Sequence, residues 1–253
     1  MCEALVSDEE YPEYFVKLEG IRGRVAEELE LAGDVLDIAT GSAYYAMTLA
    51  KEHPDVHVTA IDIAGLDTAR ENVDEAGLSS RITLREMDAT SLEFRDGSFD
   101  HVVNFLGLED IHMTRGREGV EKAFKEAYKV LKPGGSFCFA AMPSDEAETP
   151  AQRNEIDVFS WICDATWLTR AEYMDMISGS GLAFEYSKVF RTGKRLTVGQ
   201  AREEIEFACE NVPVIYGRPA RGFDEAWERF GDRIMEHGMG HYSRLELFVT
   251  WNN

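Results

Sequence analysis

The 253-residue chain is short of cysteine, of basic residues and of long apolar runs, and each shortage excludes something. Its four cysteines, Cys2, Cys138, Cys163 and Cys209, are scattered and form no CxxC pair. Such spacing suggests neither a zinc site nor a disulfide framework, and no bound metal is expected. No window approaches the roughly eighteen uncharged apolar residues of a membrane-spanning helix, so no membrane span is expected. The opening stretch MCEALVSDEEYPEY is acidic and lacks a basic flank ahead of an apolar core. That pattern speaks against a signal peptide and leaves a cytoplasmic location as the expectation. Lysine and arginine total 26 against 47 acidic residues, a formal net charge of −21. Such a surface repels phosphate backbones and argues against nucleic acid as the main partner. Arg191, Lys194 and Arg195 form the only obvious basic cluster and read as solvated surface. The length fits one large α/β domain, or a domain with an embedded subdomain.

What is present is an alternation of strand and helix patterns. Phe15, Leu18, Ile21, Val25 and Leu29 recur at three- and four-residue steps and predict a helix over 15–32, weakened by Gly20 and Gly23. Short apolar runs predict strands at Val35–Ile38, Val56–Ile63, Ile82–Met87, Phe99–Leu106 and Ser136–Ala141. Helices are expected between them over Tyr45–Glu52, Leu66–Ala76 and Glu118–Leu131, the last stopped by Pro133-Gly134-Gly135. This alternation implies a parallel sheet covered on both faces, and the uninterrupted apolar strands agree. Further on, Thr169–Ser180 reads as a helix and Leu182–Phe190 as a sixth strand. Thr197-Val-Gly-Gln200 has the form of a capping box, opening a helix toward Asn211 that ends before Pro213. Asp224 is expected to cap another helix, with Trp227, Phe230 and Ile234 on one face and Gly238 as terminator. Arg244–Trp251 closes the chain as a final strand.

The loop DIATGSAYYA, Asp37 to Ala46, follows the first strand and has the look of a nucleotide-binding turn with its glycines thinned out. Gly41 remains, flanked by Ala39 and Ala43, with Tyr44 and Tyr45 behind. In doubly wound sheets ligands bind at the carboxyl ends of the strands, where strand order reverses, and this loop is expected there. Gly41 lets the backbone approach a ligand with no Cβ in the way. Asp62, ending the second strand, is placed to accept hydrogen bonds from a ribose diol, and a charged acceptor makes the stronger bond. Asp88, near the end of the third strand, could meet an adenine amino group. The alanine at 43 disfavours a positive φ, which matters little if the position is right-handed, so a slightly narrower site is expected there.

Taken together, V35-L-D-I-A-T-G41, A60-I-D62, M87-D-A89, G97-S-F-D-H-V-V-N104 and L131-K-P-G-G135 resemble the class I S-adenosylmethionine-dependent methyltransferases. The likeness is greatest to the branch that includes the ubiquinone and menaquinone biosynthesis methyltransferases. Each match is weak alone; five in order and spacing are specific, and they cover roughly the first 142 residues. The resemblance implies an α/β, Rossmann-like, doubly wound sheet of seven strands, mostly parallel with an antiparallel last strand, plus a helical lid. Residues 32–142 would form the cofactor-binding core and 1–31 an N-terminal helical segment of the substrate lid. Residues 143–253 would complete the same domain, with a helical insertion at 192–240 and the final strand at 244–251. It implies S-adenosylmethionine as cofactor. Asp37 would orient the ammonium group of its methionine end, with Ala39, Gly41 and Ala43 along the loop. Asp62 and Ile63 would serve the ribose, Asp88 and Ala89 the adenine, and Asn104, Phe105 and Leu106 the methionine side.

Methyl transfer from a sulfonium needs alignment and exclusion of water more than covalent help, and a base only where the acceptor must lose a proton. Glu109 and His112, after the fourth strand, are the candidates for that base. Tyr14 and Tyr45 are candidate substrate-binding residues, and a small, partly apolar acceptor is expected. A homodimer is compatible with this reading. Two alternatives are weighed against it. A nicotinamide-dependent oxidoreductase would require GxGxxG after the first strand, which is missing. A methyltransferase-like binding or regulatory protein without turnover is suggested by the thinned loop.

Overall fold

A computed structural model describes residues 3–253, which fold as two compact units, each assembled from separated stretches of chain. The larger unit comprises Arg22–Ala141, Ala171–Val189 and Glu246–Asn253; the smaller comprises the chain through Ile21, Met142–Arg170 and Phe190–Leu245.

The larger unit is built on a seven-stranded sheet. Its strands are β1 (Gly33–Ile38), β2 (Val56–Asp62), β3 (Ile82–Glu86), β4 (Phe99–Phe105), β5 (Leu131–Ala141), β6 (Ala183–Arg191) and β7 (Arg244–Trp251). The spatial order is β3-β2-β1-β4-β5-β7-β6. β1 pairs in parallel with β2 on one side and β4 on the other, so strand order reverses at β1. β7 runs antiparallel to β5, with Ser136 opposite Trp251 and Ala141 opposite Glu246. The sheet is thus mostly parallel with an antiparallel last strand, as the resemblance implies. Val35, Leu36 and Ile38 of β1 and Val102 and Val103 of β4 are buried, as strands covered on both faces require. Phe124, Phe137, Phe139 and Phe248 form the centre of the core, with Phe139 stacked on Phe248 at 4.8 Å between ring centroids. β5 begins earlier than its apolar run: the pairing steps from Phe99↔Leu131 to His101↔Ser136, and Lys132–Gly135 bulge between.

Helices α1 (Tyr11–Lys17) and α2 (Ile21–Glu27) replace the single helix expected over 15–32. Leu18 caps α1 in the left-handed region (φ 51°) and Gly20 follows at φ 67°, two residues that no continuous α-helix accommodates. Helices α3 (Tyr44–Glu52) and α4 (Leu66–Glu75) follow their sequence patterns closely. The next helix, α5 (Gly107–Val130), starts well before the expected Glu118 and is broken at Gly116 (φ 67°). The segment after β4, which carries Glu109 and His112, is therefore helical.

In the smaller unit, α6 (Pro150–Ile162) packs against a later helix, α9 (Phe223–His237), and α8 (Val198–Tyr216) packs against both. Between α6 and α8, α7 (Arg170–Ser180) belongs mainly to the larger unit. The Thr197–Gln200 capping box forms in both directions. Contrary to expectation, α8 continues through Pro213 to Tyr216, where Gly217 ends it in the left-handed region. Residue 222, not Asp224, is the N-cap of α9: Gly222 is extended, and Asp224 lies in the first turn, where its charge complements the helix dipole. Two short strands, Ala4–Leu5 and Lys194–Arg195, pair in parallel.

Candidate functional site

The carboxyl ends of β1, β2 and β4 bring the candidate residues of the larger unit together. The loop after β1 is pinned at three points. Thr40 N–H donates to Ile61 O at 2.9 Å, Gly41 N–H donates to Asp62 Oδ2 at 2.8 Å, and Asn72 of α4 donates to Ser42 O at 2.9 Å. The second oxygen of Asp62 accepts from Ile63 N–H at 2.8 Å. Asp62 thus ties the tip of β2 to the loop of β1, and its aim is fixed by two backbone donors. Ile63 beside it is 48% exposed.

Asp37 is 1% exposed and accepts a 2.6 Å hydrogen bond from Thr40 Oγ1. Burial pushes its pKa up to about 7 against the opposing Thr40 bond, with the charge of Asp62 adding to the rise. A carboxyl in this state is about half protonated at pH 7, and a cation placed against it would favour the ionised form. Asp88 behaves oppositely. Burial raises its pKa, but hydrogen bonds from the Thr90 backbone and hydroxyl and from Arg115 outweigh that and hold it low. Its Oδ1 accepts from Thr90 N–H (2.8 Å) and Thr90 Oγ1 (2.7 Å), and Oδ2 pairs with Arg115 at 3.1 Å. Both oxygens of Asp88 are thus already engaged, and the neighbouring Ala89 is buried.

The glycine loop departs from expectation in its backbone. Ala39 (φ 54°), Gly41 (φ 54°) and Ala43 (φ 63°) all occupy the left-handed region. The condition under which the alanine at 43 would matter little, a right-handed backbone, is not met: tertiary pinning of the loop imposes the glycine conformation on alanine, at a strain of about 1–2 kcal/mol. A Cβ at Gly41 would meet no protein atom within 4 Å, whereas one at Gly107 would lie 2.6 Å from Ala39 Cβ and 2.9 Å from Ala39 O. Gly41 therefore faces open space, the cradle a bound molecule requires, while Gly107 is the contact that seats α5 on the loop.

Two expected outcomes follow. Ala43 and Ala46 are both fully buried, but Ala46 is helical, so Ala43→Gly relieves strain where Ala46→Gly loses helix propensity. Denaturant titration should find Ala43→Gly more stable than Ala46→Gly by about 2 kcal/mol. Gly107→Ala should lose about 1–3 kcal/mol by overpacking, read as a lower unfolding midpoint.

Asn104 is 1% exposed, and its side chain serves the protein: Nδ2 donates to Ile38 O at 2.7 Å, and Oδ1 accepts from Gly107 N–H and Leu108 N–H at 3.1 and 3.2 Å. It caps the start of α5 and locks β4 to β1. Leu106 turns through φ 63°, with its N–H on Ala140 O at 2.9 Å. Tyr45 is 5% exposed and packs on Phe105 with ring centroids 5.0 Å apart, and burial drives its phenol far above the ordinary pKa. The Arg22 guanidinium lies 5.4 Å from the Tyr44 ring and 5.3 Å from the Phe105 ring. Glu109 is buried on α5 and accepts from Tyr173 Oη at 3.4 Å, and His112 is half-buried one turn further along. Tyr14 belongs to the smaller unit, where its hydroxyl donates at 3.2 Å to Thr192 Oγ1 and His241 O. Arg115, Gly107 and Arg22 are the contributors that the sequence reading missed.

Residues 35–135 match the family described as a methyltransferase domain. The chain is similar to the ubiquinone/menaquinone biosynthesis C-methyltransferase UbiE of Brucella anthropi, 33% identical over 129 residues, which are 50% of this chain and 46% of that protein. It is also similar to the demethylmenaquinone methyltransferase of Bacteroides fragilis, 33% identical over 103 residues, 40% of each chain. The chain thus spans less than half the length of these curated relatives. Among solved structures, the [4+2]-cyclase SpnF aligns with a TM-score of 0.65 at 20% identity, covering 92% of this chain and 80% of its own. Geranyl diphosphate C-methyltransferase from Streptomyces coelicolor A3(2) aligns at 0.60 and 14%, covering 99% and 85%. Those two likenesses establish the fold. The matched sequence makes residues 35–135 similar to a methyltransferase domain, and the ordered acids and the strand reversal at β1 agree with that likeness.

Proposed function

We propose that this chain transfers a methyl group from S-adenosylmethionine to a small, partly apolar acceptor by in-line displacement. The carrying observation is the pairing of Asp62 with the Gly41 amide beside the buried, near-neutral Asp37. A class I cofactor brings a ribose diol, which would add to the two backbone donors on Asp62, and an ammonium, which would give Asp37 a cationic partner beside Thr40. Asp62 receives the ribose hydroxyls on oxygens whose aim its backbone bonds fix. Asp37 ionises against the ammonium, Gly41 passes its backbone against the cofactor, and Ile63, Asp88 and Ala89 border the base. Ala39, Ala43 and the backbone of Asn104 to Leu106 wall the methionine side. The bound cofactor supplies an activated sulfonium methyl group. The residues around it orient, desolvate and, where the acceptor must lose a proton, accept one. Glu109 and His112 on α5 are the groups for that last task, Tyr45 lines the acceptor side, and Tyr14 serves the lid. The Brucella anthropi relative is a C-methyltransferase of ubiquinone/menaquinone biosynthesis, which favours a carbon acceptor and hence a base. The net charge of −21 disfavours nucleic acid as acceptor, and among the described residues no helix is long and apolar enough to cross a membrane.

A second reading, binding without transfer, draws on the left-handed alanines and on the cyclase among the structural neighbours. Calorimetric titration with S-adenosylmethionine, S-adenosylhomocysteine and NAD separates the readings, followed by a methyl-labelled transfer screen on a metabolite extract. Saturable binding of the two sulfur compounds and not NAD, with label moved to an extract component, is the expected result. Binding without label transfer would favour the second reading, and no binding of either sulfur compound would sink both.

A further inference from the structure

In the smaller unit, α6, α9, the turn at 164–166 and Arg221 enclose a cleft of ≈ 580 Å³. Arg153, Arg221, Arg229 and Arg233 line it, against only two carboxylates, Asp157 and Asp164. A chain carrying −21 overall has here gathered a local excess of two positive charges. The carboxylates do not saturate the guanidinium groups. Asp157 accepts from Arg233 at 2.8 Å and sits 3.9 Å from Arg153, which also donates to Ser144 O at 2.7 Å. Asp164 pairs with Arg221. Arg229 lies 5.5 Å from the ring of Phe230, and among the described residues no carboxylate pairs with it. Each guanidinium offers about five N–H donors, so most of the donors in the cleft have no acceptor among the described residues. The wall beneath them is aromatic: the Arg221 guanidinium lies 4.6 Å above the Trp161 ring, and Trp161 meets Phe230 edge-on at 5.9 Å. Ser160 and Thr166 add hydroxyl groups at the rim.

Guanidinium forks match the tetrahedral oxygens of a phosphoryl group bidentately and are weakly hydrated, so they release water readily to an oxyanion. Two excess charges balance one dianion, and the volume is that of a small-molecule pocket. The acidic chain as a whole opposes a polyanion, which points to a small ligand. We propose that this cleft binds a small phosphomonoester, its phosphoryl group held by Arg229, Arg221 and Arg233 and its apolar body against Trp161 and Phe230. Every residue lining the cleft lies in the smaller unit, and none is among those assigned to the cofactor or to the methyl acceptor.

Phenyl phosphate is the probe, titrated into the full chain in 0.15 M salt by calorimetry and by tryptophan emission, with inorganic phosphate and phenol as comparison arms. Saturable binding is expected, at least tenfold tighter for phenyl phosphate than for either comparison. Arg229→Gln and Arg221→Gln should each weaken it at least tenfold while the thermal unfolding midpoint stays within a few degrees of the parent. No saturation at millimolar phenyl phosphate overturns the proposal, as does unchanged affinity in both variants. Inorganic phosphate binding equally tightly overturns the aromatic half of the site, and phenol binding equally tightly overturns the anionic half.

Discussion

Asp62→Ala should weaken S-adenosylhomocysteine binding by at least a hundredfold without unfolding the protein. The substitution removes the acceptor of Gly41 N–H (2.8 Å), so the loop after β1 loses the bond that holds its tip. It also removes the charged oxygens assigned to the ribose. Hydrogen bonds to a charged group contribute about 1.5–3 kcal/mol each, and losing two of them is roughly a hundredfold or more in affinity. Asp62→Asn, which keeps one acceptor oxygen, should fall between the two. Calorimetric affinity within twofold of the parent for Asp62→Ala would remove the ribose assignment. Asp37 gives the same titration a pH signature. Its carboxyl ionises near 7 in the free protein because it is buried. If an ammonium must meet the ionised form, binding releases a proton, and affinity rises with pH up to about 7. Below that value affinity should fall by up to about tenfold per unit, and Asp37→Asn should flatten the profile.

These two acids were legible because a strand end is among the best-marked places in a parallel α/β chain. Asp62 is the last residue of β2, and Asp37 stands one residue before the end of β1, each a charge at the carboxyl end of a buried apolar run. Arg244–Trp251 was read at its observed bounds as well. Backbone conformation was less legible. Alanine's own preference places residue 43 in the right-handed region, but bonds to Ile61 O and Asp62 and from Asn72 hold the loop so that it turns left-handed. Leu18 and Gly20 break a helix whose apolar spacing runs straight through them. Gly107 and Arg115 went unread for a different reason. Each matters through a partner distant in sequence, Ala39 for one and Asp88 for the other, and both sit in a helix whose start carried no visible cap. The cap is Asn104, a strand residue reaching forward, and that pairing exists only once β4 lies beside β1.

In the smaller unit, Glu155→Gln should make the protein markedly less sensitive to alkaline pH. Glu155 on α6 is 1% exposed. One carboxyl oxygen accepts from Tyr242 N–H, and the other is buried with no hydrogen-bond partner. Burial drives its pKa from 4.5 up to about 8. The backbone bonds from Tyr242 and Ser243 oppose that rise, and the acids Glu204 and Glu3 add to it. Glu204 is itself raised to about 8, chiefly by burial, and lies 3.4 Å from His241. The sign follows from proton counting. Between pH 4.5 and about 8 the unfolded chain has given up the Glu155 proton while the folded chain keeps it. The unfolded state therefore binds fewer protons, and stability falls as pH rises through that window. Below 4.5 both states are protonated and nothing is lost. The full shift corresponds to a loss on the order of 4–5 kcal/mol by pH 8, for this residue alone. Glutamine stays neutral at every pH, so the variant should match the parent at pH 5 to within about 1 kcal/mol and exceed its stability at pH 8.5. Urea unfolding midpoints at the two pH values read the difference directly. Equal pH slopes for parent and variant would mean that Glu155 ionises in the folded protein without penalty. Its second oxygen would then have a partner that burial alone does not provide.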